Sequence, residues 1–356
     1  MPNKHYYCAI LAGGLGTRFW PISRKALPKQ FLCFTSDGKT FLRQAYERIL
    51  TVVPAENILV VTLKEYLDTV LEQLPEIPRE NILLELYNRN TAPSITYAAK
   101  EILRRDPKAV MVSTPADHII EGTEEFSSTM LRALEYASTH EELITLGIVP
   151  TRPDANFGYI QVSGGSDAIK AGQPVPVKTF TEKPTKEIAE LFLRTGEFLW
   201  NSGIFIWQAR VILEELNHYA RNITALWEES SNIDRIYTDC IRISIDYAVM
   251  EKTERATVFP ARFKWADMGT WESLYDNLGK PDRTGNVTNI SGKHLFKEDE
   301  DNIIYCQKDG KLIAVRGLEN MIVVDTDDVL MICPRDDRKV KEFLSELAMP
   351  EFEDFR

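Results

Sequence analysis

The chain lacks any apolar run close to the ~18–20 residues that a helix needs to cross a bilayer. It has only five cysteines, and no two of them form a CxxC pair. This argues against a disulfide framework or a zinc site and is typical of a reducing compartment. A glycine-rich motif begins within about a dozen residues of Met1, which leaves no room for a signal peptide. We therefore expect a soluble, cytoplasmic protein.

An excess of positive charge is also absent. The 356 residues carry 42 basic and 53 acidic side chains, which gives a formal net charge of −11 at pH 7. Proteins that bind nucleic acid or anionic membranes through their general charge need a basic surface, so neither partner is expected. The length and a hydrophobic content of 44% are sufficient for a large core and two domains.

The segment LAGGLGTRFWPISRKALPKQF, residues 11–31, departs from this acidic balance. Its glycines allow backbone N–H groups to approach an anion closely. From Gly13 onward it has no acidic residue and four basic ones: Arg18, Arg24, Lys25 and Lys29. The pattern predicts a polyphosphate site, and the alternative is a tight strand-to-helix turn with a solvated basic face.

Two common phosphate motifs do not fit this segment. It is not a P-loop, because no Gly-Lys-Ser/Thr follows the glycines at the required spacing. It also lacks the third glycine of the dinucleotide fingerprint, which disfavours a dinucleotide-dependent dehydrogenase.

Strand-like and helix-like patterns alternate through the first half of the chain. Continuous apolar runs such as AVMVST, residues 109–114, are typical of strands buried on both faces of a parallel sheet. The alternation predicts an α/β fold with a Rossmann-like, mostly parallel sheet flanked by helices. Short β runs with turns then predict a small C-terminal β domain with a terminal helix. We expect a catalytic domain over residues 1–280 and the β domain over residues 281–356.

Residues 11–31 resemble the nucleotide-binding signature of sugar-1-phosphate nucleotidylyltransferases. Trp20-Pro21, Ser23-Arg24 and PKQF at residues 28–31 are similar to mannose-1-phosphate guanylyltransferases in particular. The resemblance implies transfer of GMP from GTP to mannose 1-phosphate, with Mg²⁺ or another divalent cation. It implies catalytic roles for Arg18 and Lys29. It also implies nucleotide binding by six further residues: Leu11, Ala12, Gly13, Gly14, Gly16 and Thr17.

The segment RNTAP, residues 89–93, supplies a second nucleotide contact in that family. The resemblance implies that Asn90, Thr91 and Ala92 lie against the guanine base. An Asn-Thr pair before a helix is equally well explained as a helix cap. Leu86 and Asn88 stand where the family usually has proline and glycine.

Two aspartates are candidate metal ligands. Asp117 follows a predicted buried strand, and the resemblance implies that it binds the cation together with Asp267. The alternatives are a capping Asp117 beside a packed His118, and an Asx turn at Asp267. Mg²⁺ keeps several waters and needs only two carboxylates, so these two residues are sufficient.

Four residues in the second half form the family's sugar site by resemblance: Gly158, Glu182, Lys183 and Asn201. Taken alone, these motifs are also compatible with a hairpin turn and with solvated surface charges. The acids of SIDYAVME, Asp246 and Glu251, are compatible with exposed helix positions, and we assign them no role.

The expected reaction is in-line attack of the sugar phosphate on the α-phosphorus of GTP, with no covalent enzyme intermediate. The competing hypotheses are a nucleotidylyltransferase for another base or sugar and a catalytically silent regulatory homologue that binds GDP-mannose. A silent homologue should have lost the charges that are present at Arg18, Lys29, Asp117 and Asp267. The C-terminal part resembles the family's short β-helical domain, which implies a homodimer. The chain ends before an isomerase domain would begin, so isomerase activity is not expected.

Overall fold

The computed structural model describes residues 3–14, 16–34, 37–278, 281–290, 293–308 and 310–355. The chain separates into two compact units. The first unit comprises Met1–Gly14 and Leu42–Trp265, and the second comprises Leu15–Phe41 and Ala266–Arg356. The predicted domain boundary falls at residue 280, outside the described residues, and stays a prediction.

The elements from the N-terminus to residue 266 are strands and helices that alternate through the first half of the chain, as predicted from the sequence. Their bounds are β1 (Tyr6–Leu11), α1 (Phe41–Ile49), β2 (Ile58–Leu63), α2 (Leu67–Gln73), β3 (Ile82–Glu85), α3 (Thr91–Arg105), β4 (Val110–Pro115), β5 (Ile119–Glu121), α4 (Thr123–Thr139), β6 (Leu143–Ile148), β7 (Gly158–Val162), α5 (Gly165–Ala171), β8 (Val175–Glu182), α6 (Lys186–Thr195), β9 (Phe198–Gln208), α7 (Ala209–Tyr219), α8 (Arg221–Glu229), α9 (Ile233–Asp239), β10 (Ala256–Ala261) and β11 (Lys264–Ala266).

Nine of these strands form one sheet in the order β3-β2-β1-β4-β9-β6-β10-β8-β7. Their pairings show that β9 and β8 run opposite to the other seven strands. The prediction of a mostly parallel sheet flanked by helices is confirmed. The insertion of the antiparallel strand β9 between β4 and β6 was not predicted, nor were β10 and α5.

The carboxyl ends of the central strands lie next to one another at one end of the sheet. The N–H of Ala116, directly after β4, donates to the carbonyl of Leu11 at the end of β1 at 3.1 Å. The N–H of Ala12 donates to the carbonyl of Val61 in β2 at 2.8 Å. The predicted nucleotide residues Leu11 and Ala12 therefore lie at the carboxyl ends of the strands, where parallel α/β sheets bind their ligands.

The described residues of the second unit form a helix, six short strands and a terminal helix in its C-terminal part. Their bounds are α10 (Trp271–Leu278), β12 (Val287–Thr288), β13 (His294–Lys297), β14 (Ile303–Cys306), β15 (Ile313–Arg316), β16 (Met321–Asp325), β17 (Leu330–Pro334) and α11 (Asp337–Glu346). Strands β12, β14 and β16 stack in parallel, and β13 pairs with β15 in a separate sheet.

Successive coils of this β structure repeat the same turn. The turn residue before each stacked strand has a positive φ: 80° at Gly285, 55° at Asp301 and 53° at Asn320. The side-chain oxygen of Asn286 accepts the N–H of Asn302 at 3.0 Å, which ties one coil to the next. The repeated turn and the parallel stacking confirm the predicted β-helix-like domain.

Among the residues that the structure describes, no helix combines the length and apolar character needed to cross a membrane.

Candidate active site

The glycine turn of the first unit lies beside a buried carboxylate. A Cβ at Gly13 would be 3.0 Å from Oε2 of Glu85, the last residue of β3. The other oxygen of Glu85 accepts hydrogen bonds from the hydroxyl groups of Ser94 and Tyr237. Burial raises the pKa of Glu85 to about 7, although these two hydrogen bonds favour the charged form. The charge beside Gly13 therefore changes near neutral pH.

Asn88, which stands at the family's glycine position, connects this turn to the RNTAP loop. Its Nδ2 donates to the carbonyl of Gly13 at 2.6 Å. Its Oδ1 accepts the N–H of Asn90 at 3.1 Å. A glycine could make neither contact, so the departure from the family pattern supplies a side-chain link between two predicted nucleotide segments.

The predicted base-binding residues form the start of α3. Asn90 has a φ of 70°, and its side-chain oxygen accepts the N–H of Thr91 at 2.8 Å, so the capping role is present. The N–H of Ala92 donates to the carbonyl of Ile243 at 3.2 Å. The hydroxyl of Thr91 accepts the N–H of Ile245 at 2.8 Å. These contacts hold the loop against the segment that precedes Asp246.

The four predicted sugar-site residues come together in the first unit. A Cβ at Gly158 would be 2.5 Å from Oε2 of Glu182 and 3.3 Å from Cβ of Asn201. Lys183, which has a φ of 46°, forms an ion pair with Glu182. A carboxylate and an amide therefore lie against a backbone position with no side chain, and an ammonium group pairs with that carboxylate. Such a set can bind sugar hydroxyls and a phosphate by directed hydrogen bonds.

Asp246 joins this group, although sequence reasoning assigned it no role. Asn201 Nδ2 donates to Asp246 Oδ1 at 2.8 Å. Burial raises the pKa of Asp246, the hydrogen bond from Asn201 lowers it, and the nearby charge of Glu182 raises it further. The available signal was a single acid, Asp246, among the apolar residues that precede Met250. This run folds as a short π-helix, Asp246–Met250.

Asp117 and His118 differ in their surroundings. The side chain of Asp117 is 33% exposed beyond the end of β4, whereas that of His118 is 8% exposed. Trp265 Nε1 donates to His118 Nδ1 at 3.2 Å, and the two rings meet edge to face. Gly203, two residues after Asn201, lies next to His118. His118 therefore packs the loop that carries Asp117, as expected for a structural residue.

The second unit brings Arg18, Lys29 and Asp267 together. Lys29 is buried, and its ammonium donates to the carbonyls of Asp267 at 3.1 Å and Met268 at 2.7 Å. Arg18 Nη1 donates to the carbonyl of Gly269 at 3.3 Å. A Cβ at Gly269 would be 3.0 Å from Asp267 Oδ2 and 3.1 Å from Arg18 Nη1. Because Gly269 has no side chain, the carboxylate of Asp267 and the guanidinium of Arg18 can both lie close to its backbone.

Gly16 is needed for the close approach of Lys29. Its φ is 58°, and a Cβ there would lie 2.5 Å from Lys29 Cβ and 2.7 Å from Lys29 N. The next residue, Thr17, begins a short 3-10 turn, Thr17–Phe19. At Gly14, in contrast, a Cβ would meet no atom within 4 Å. Sterics therefore require a glycine at position 16 but not at position 14.

The proposed metal ligands are few but chemically suitable. In the described part of the chain, no group of three or more His, Cys, Asp or Glu residues could hold an ion. Mg²⁺ is commonly bound by one or two carboxylates together with substrate phosphates and water. The carboxylate oxygens of Asp117 and Asp267 are donors of the type that such an ion prefers.

Two family models match the chain. The model described as "Nucleotidyl transferase" matches residues 8–280. The model described as "MannoseP isomerase/GMP-like beta-helix domain" matches residues 292–347.

Relatives and a solved structure match most of the chain. A mannose-1-phosphate guanylyltransferase of Escherichia coli is 36% identical over 360 aligned positions, covering 96% of this chain and 75% of that protein. The alginate biosynthesis protein AlgA of Pseudomonas aeruginosa is 37% identical over 340 positions, covering 92% and 69%. A crystal structure described as a mannose-1-phosphate geranyltransferase from Thermus thermophilus aligns with a TM-score of 0.87 at 29% identity, covering 97% of this chain and all of that one. The chain therefore belongs to the nucleotidyl transferase family and joins that domain to a GMP-like β-helix domain.

Proposed function

We propose that the protein is a mannose-1-phosphate guanylyltransferase, which joins GTP and mannose 1-phosphate to give GDP-mannose and pyrophosphate. The observation that carries the proposal is the sugar-site group of the first unit. There Glu182 and Asn201 flank the bare backbone of Gly158. The similarity to a mannose-1-phosphate guanylyltransferase over 96% of the chain supports the same substrates.

The proposed reaction needs no protein nucleophile, because the attacking phosphate of the sugar is already an anion. An oxygen of that phosphate attacks the α-phosphorus of GTP, the bond to the β-phosphate breaks, and pyrophosphate leaves. The protein then contributes positioning and neutralisation of charge. Arg18 stabilises the leaving pyrophosphate, and Lys29 neutralises the reacting phosphates. The main-chain carbonyls that accept hydrogen bonds from Lys29 keep its ammonium in place.

Asp117 and Asp267 are the proposed ligands of a divalent cation, Mg²⁺ or another. When bound, such a cation neutralises negative charge on the phosphates of the nucleotide. Gly13, Asn90 and the neighbouring main chain are proposed to bind the nucleotide. A homodimer and a cytoplasmic location remain part of the proposal.

A pyrophosphate-release assay tests the proposal directly. The four nucleoside triphosphates are each combined with the 1-phosphates of mannose, glucose and galactose in the presence of Mg²⁺. We expect the highest kcat/KM for GTP with mannose 1-phosphate. A higher value for another pair would replace the assignment with a different nucleotidylyltransferase. No turnover with any pair, together with calorimetric binding of GDP-mannose, would favour the regulatory homologue.

A further inference from the structure

The segment of residues 243–246 is hydrogen-bonded to the predicted nucleotide loop. The carbonyl of Ile243 accepts the N–H of Ala92 at 3.2 Å. The N–H of Ile245 donates to the hydroxyl of Thr91 at 2.8 Å. These two hydrogen bonds therefore fix the first residues of this segment relative to the loop that carries the predicted base contacts.

The end of the same segment determines the orientation of an amide in the sugar-site group. Asn201 Nδ2 donates to Asp246 Oδ1 at 2.8 Å. Its oxygen accepts the N–H of Gly203 at 3.1 Å and the hydroxyl hydrogen of Thr145 at 3.4 Å. An amide turned by 180° would direct its NH₂ group toward the N–H of Gly203 and its oxygen toward the carboxylate of Asp246. Asp246 therefore helps to select one of the two orientations.

The surroundings of Asp246 disfavour an ionised carboxylate, so stability alone does not explain why an acid stands at this position. Burial and the like charge of Glu182 both raise its pKa, and Lys183 is the cation that opposes them. Asp246 also begins a π-helix, a form that is rare and often occurs at functional sites. Buried carboxylates of this kind are frequent where a ligand must be positioned.

We propose that Asp246 is a positioning residue for the sugar 1-phosphate. By accepting the Asn201 N–H it holds the amide beside Gly158 and Glu182. Residues 243–246 also join that amide mechanically to the nucleotide loop. The inference rests on the proposed function, because it assumes that Asn201 contacts the sugar.

The test compares Asp246→Ala and Asp246→Asn with the parent enzyme. Asp246→Ala removes a hydrogen bond to a charged group, so we expect the KM for mannose 1-phosphate to rise about 10- to 100-fold. The KM for GTP and the thermal midpoint should change little. Asp246→Asn keeps an oxygen that can accept the Asn201 N–H, and it should recover most of the loss. Glu254→Ala is the control, because Glu254 is an exposed acid in the loop that follows the same π-helix.

Three results would overturn the inference: an unchanged sugar KM in Asp246→Ala, a parallel rise of both KM values with a lower thermal midpoint, or no recovery in Asp246→Asn. A parent enzyme without turnover would contradict the proposed function instead. Calorimetric titration of the same variants with mannose 1-phosphate would then still test the role of Asp246.

Discussion

The two units hold their candidate functional charges by different hydrogen bonds. Main-chain carbonyls accept from cations in one unit, and side chains donate to carboxylates in the other. In the second unit, Arg18 and Lys29 donate to main-chain carbonyls of residues 267–269. In the first unit, the carboxylates of Glu85 and Asp246 accept hydrogen bonds from the side chains of Tyr237 and Asn201, which belong to distant parts of the chain. Main-chain carbonyls place cations without neutralising them, whereas burial makes the charge of the carboxylates dependent on their neighbours.

The two arrangements allow the charges to act in different ways. A cation that is positioned by hydrogen bonds to main-chain carbonyls can also contact an incoming phosphate. A buried carboxylate can orient a neighbouring amide or hydroxyl, and its raised pKa makes that role sensitive to pH. The four predictions below test this contrast.

The largest effect is expected for the cation of the second unit. Lys29→Met removes the ammonium while keeping a long apolar side chain, and turnover should fall roughly 10²- to 10³-fold, as for the loss of one preorganised donor. The measurement is kcat for pyrophosphate release. Lys339→Met, at an exposed position of α11, is the control. Near-normal turnover of Lys29→Met would remove this residue from the catalytic group.

The next effect concerns the glycine that lies against Lys29. Gly16→Ala introduces a Cβ 2.7 Å from a backbone nitrogen at a φ of 58°, so the neighbouring chain must move. We expect a loss of about 2–5 kcal/mol in the free energy of unfolding, from the strained backbone and overpacking together. Chemical denaturation measures it, and Gly14→Ala is the matched control for stability. Equal midpoints for the two variants would show that this contact is not required.

For the first unit, the stability should depend on pH through Glu85. Its pKa of about 7 in the folded protein exceeds the usual 4.5, so the folded state binds the proton more tightly. Stability from this group is therefore present below about pH 4.5 and is lost as the pH rises toward 7. Glu85→Gln cannot ionise, and its stability relative to the parent should increase by at most about 3 kcal/mol between pH 5 and 8. Urea denaturation at both pH values measures this.

A matched control for Glu85→Gln is Glu124→Gln, in the first turn of α4, where the carboxylate is exposed. Glu124→Gln therefore shows the effect of replacing a carboxylate by an amide at an exposed position. A constant difference between Glu85→Gln and the parent would show that Glu85 is ionised normally in the folded protein.

The smallest effect is expected for the amide link of Asn88. Asn88→Ala and Asn88→Gly remove the hydrogen bond to Gly13, and the KM for GTP should rise about 3- to 10-fold, the value of one ordinary hydrogen bond. Asn88→Asp can still accept the N–H of Asn90, but it cannot donate to Gly13. The Asn88→Asp variant should therefore bind GTP no more tightly than the Asn88→Ala variant. Full affinity in Asn88→Asp would show that the contact with Gly13 has no effect.

Much of the fold could be predicted from the sequence because its signals are local. The buried strands β2 and β4 are continuous apolar runs, and the turns of the β-helix-like domain recur with the short strands. Strand order is not local. The antiparallel strand β9 pairs with β4 and β6, and nothing in its own residues specifies those neighbours. Strand β10 escaped prediction for a local reason, because its run ATVFPA contains a proline.

The same distinction holds for the candidate site. The glycines and cations of residues 11–31 could be recognised by themselves, because close backbone approach and a local excess of positive charge are properties of adjacent residues. The surroundings of Glu85 and Asp246, in contrast, depend on tertiary packing. The hydroxyl of Tyr237 that bonds Glu85 lies 152 residues away along the chain, and the amide that bonds Asp246 lies 45 residues away. Burial and hydrogen bonding between such distant residues arise from the packing of the sheet and its helices, and they determine the pKa of each carboxylate.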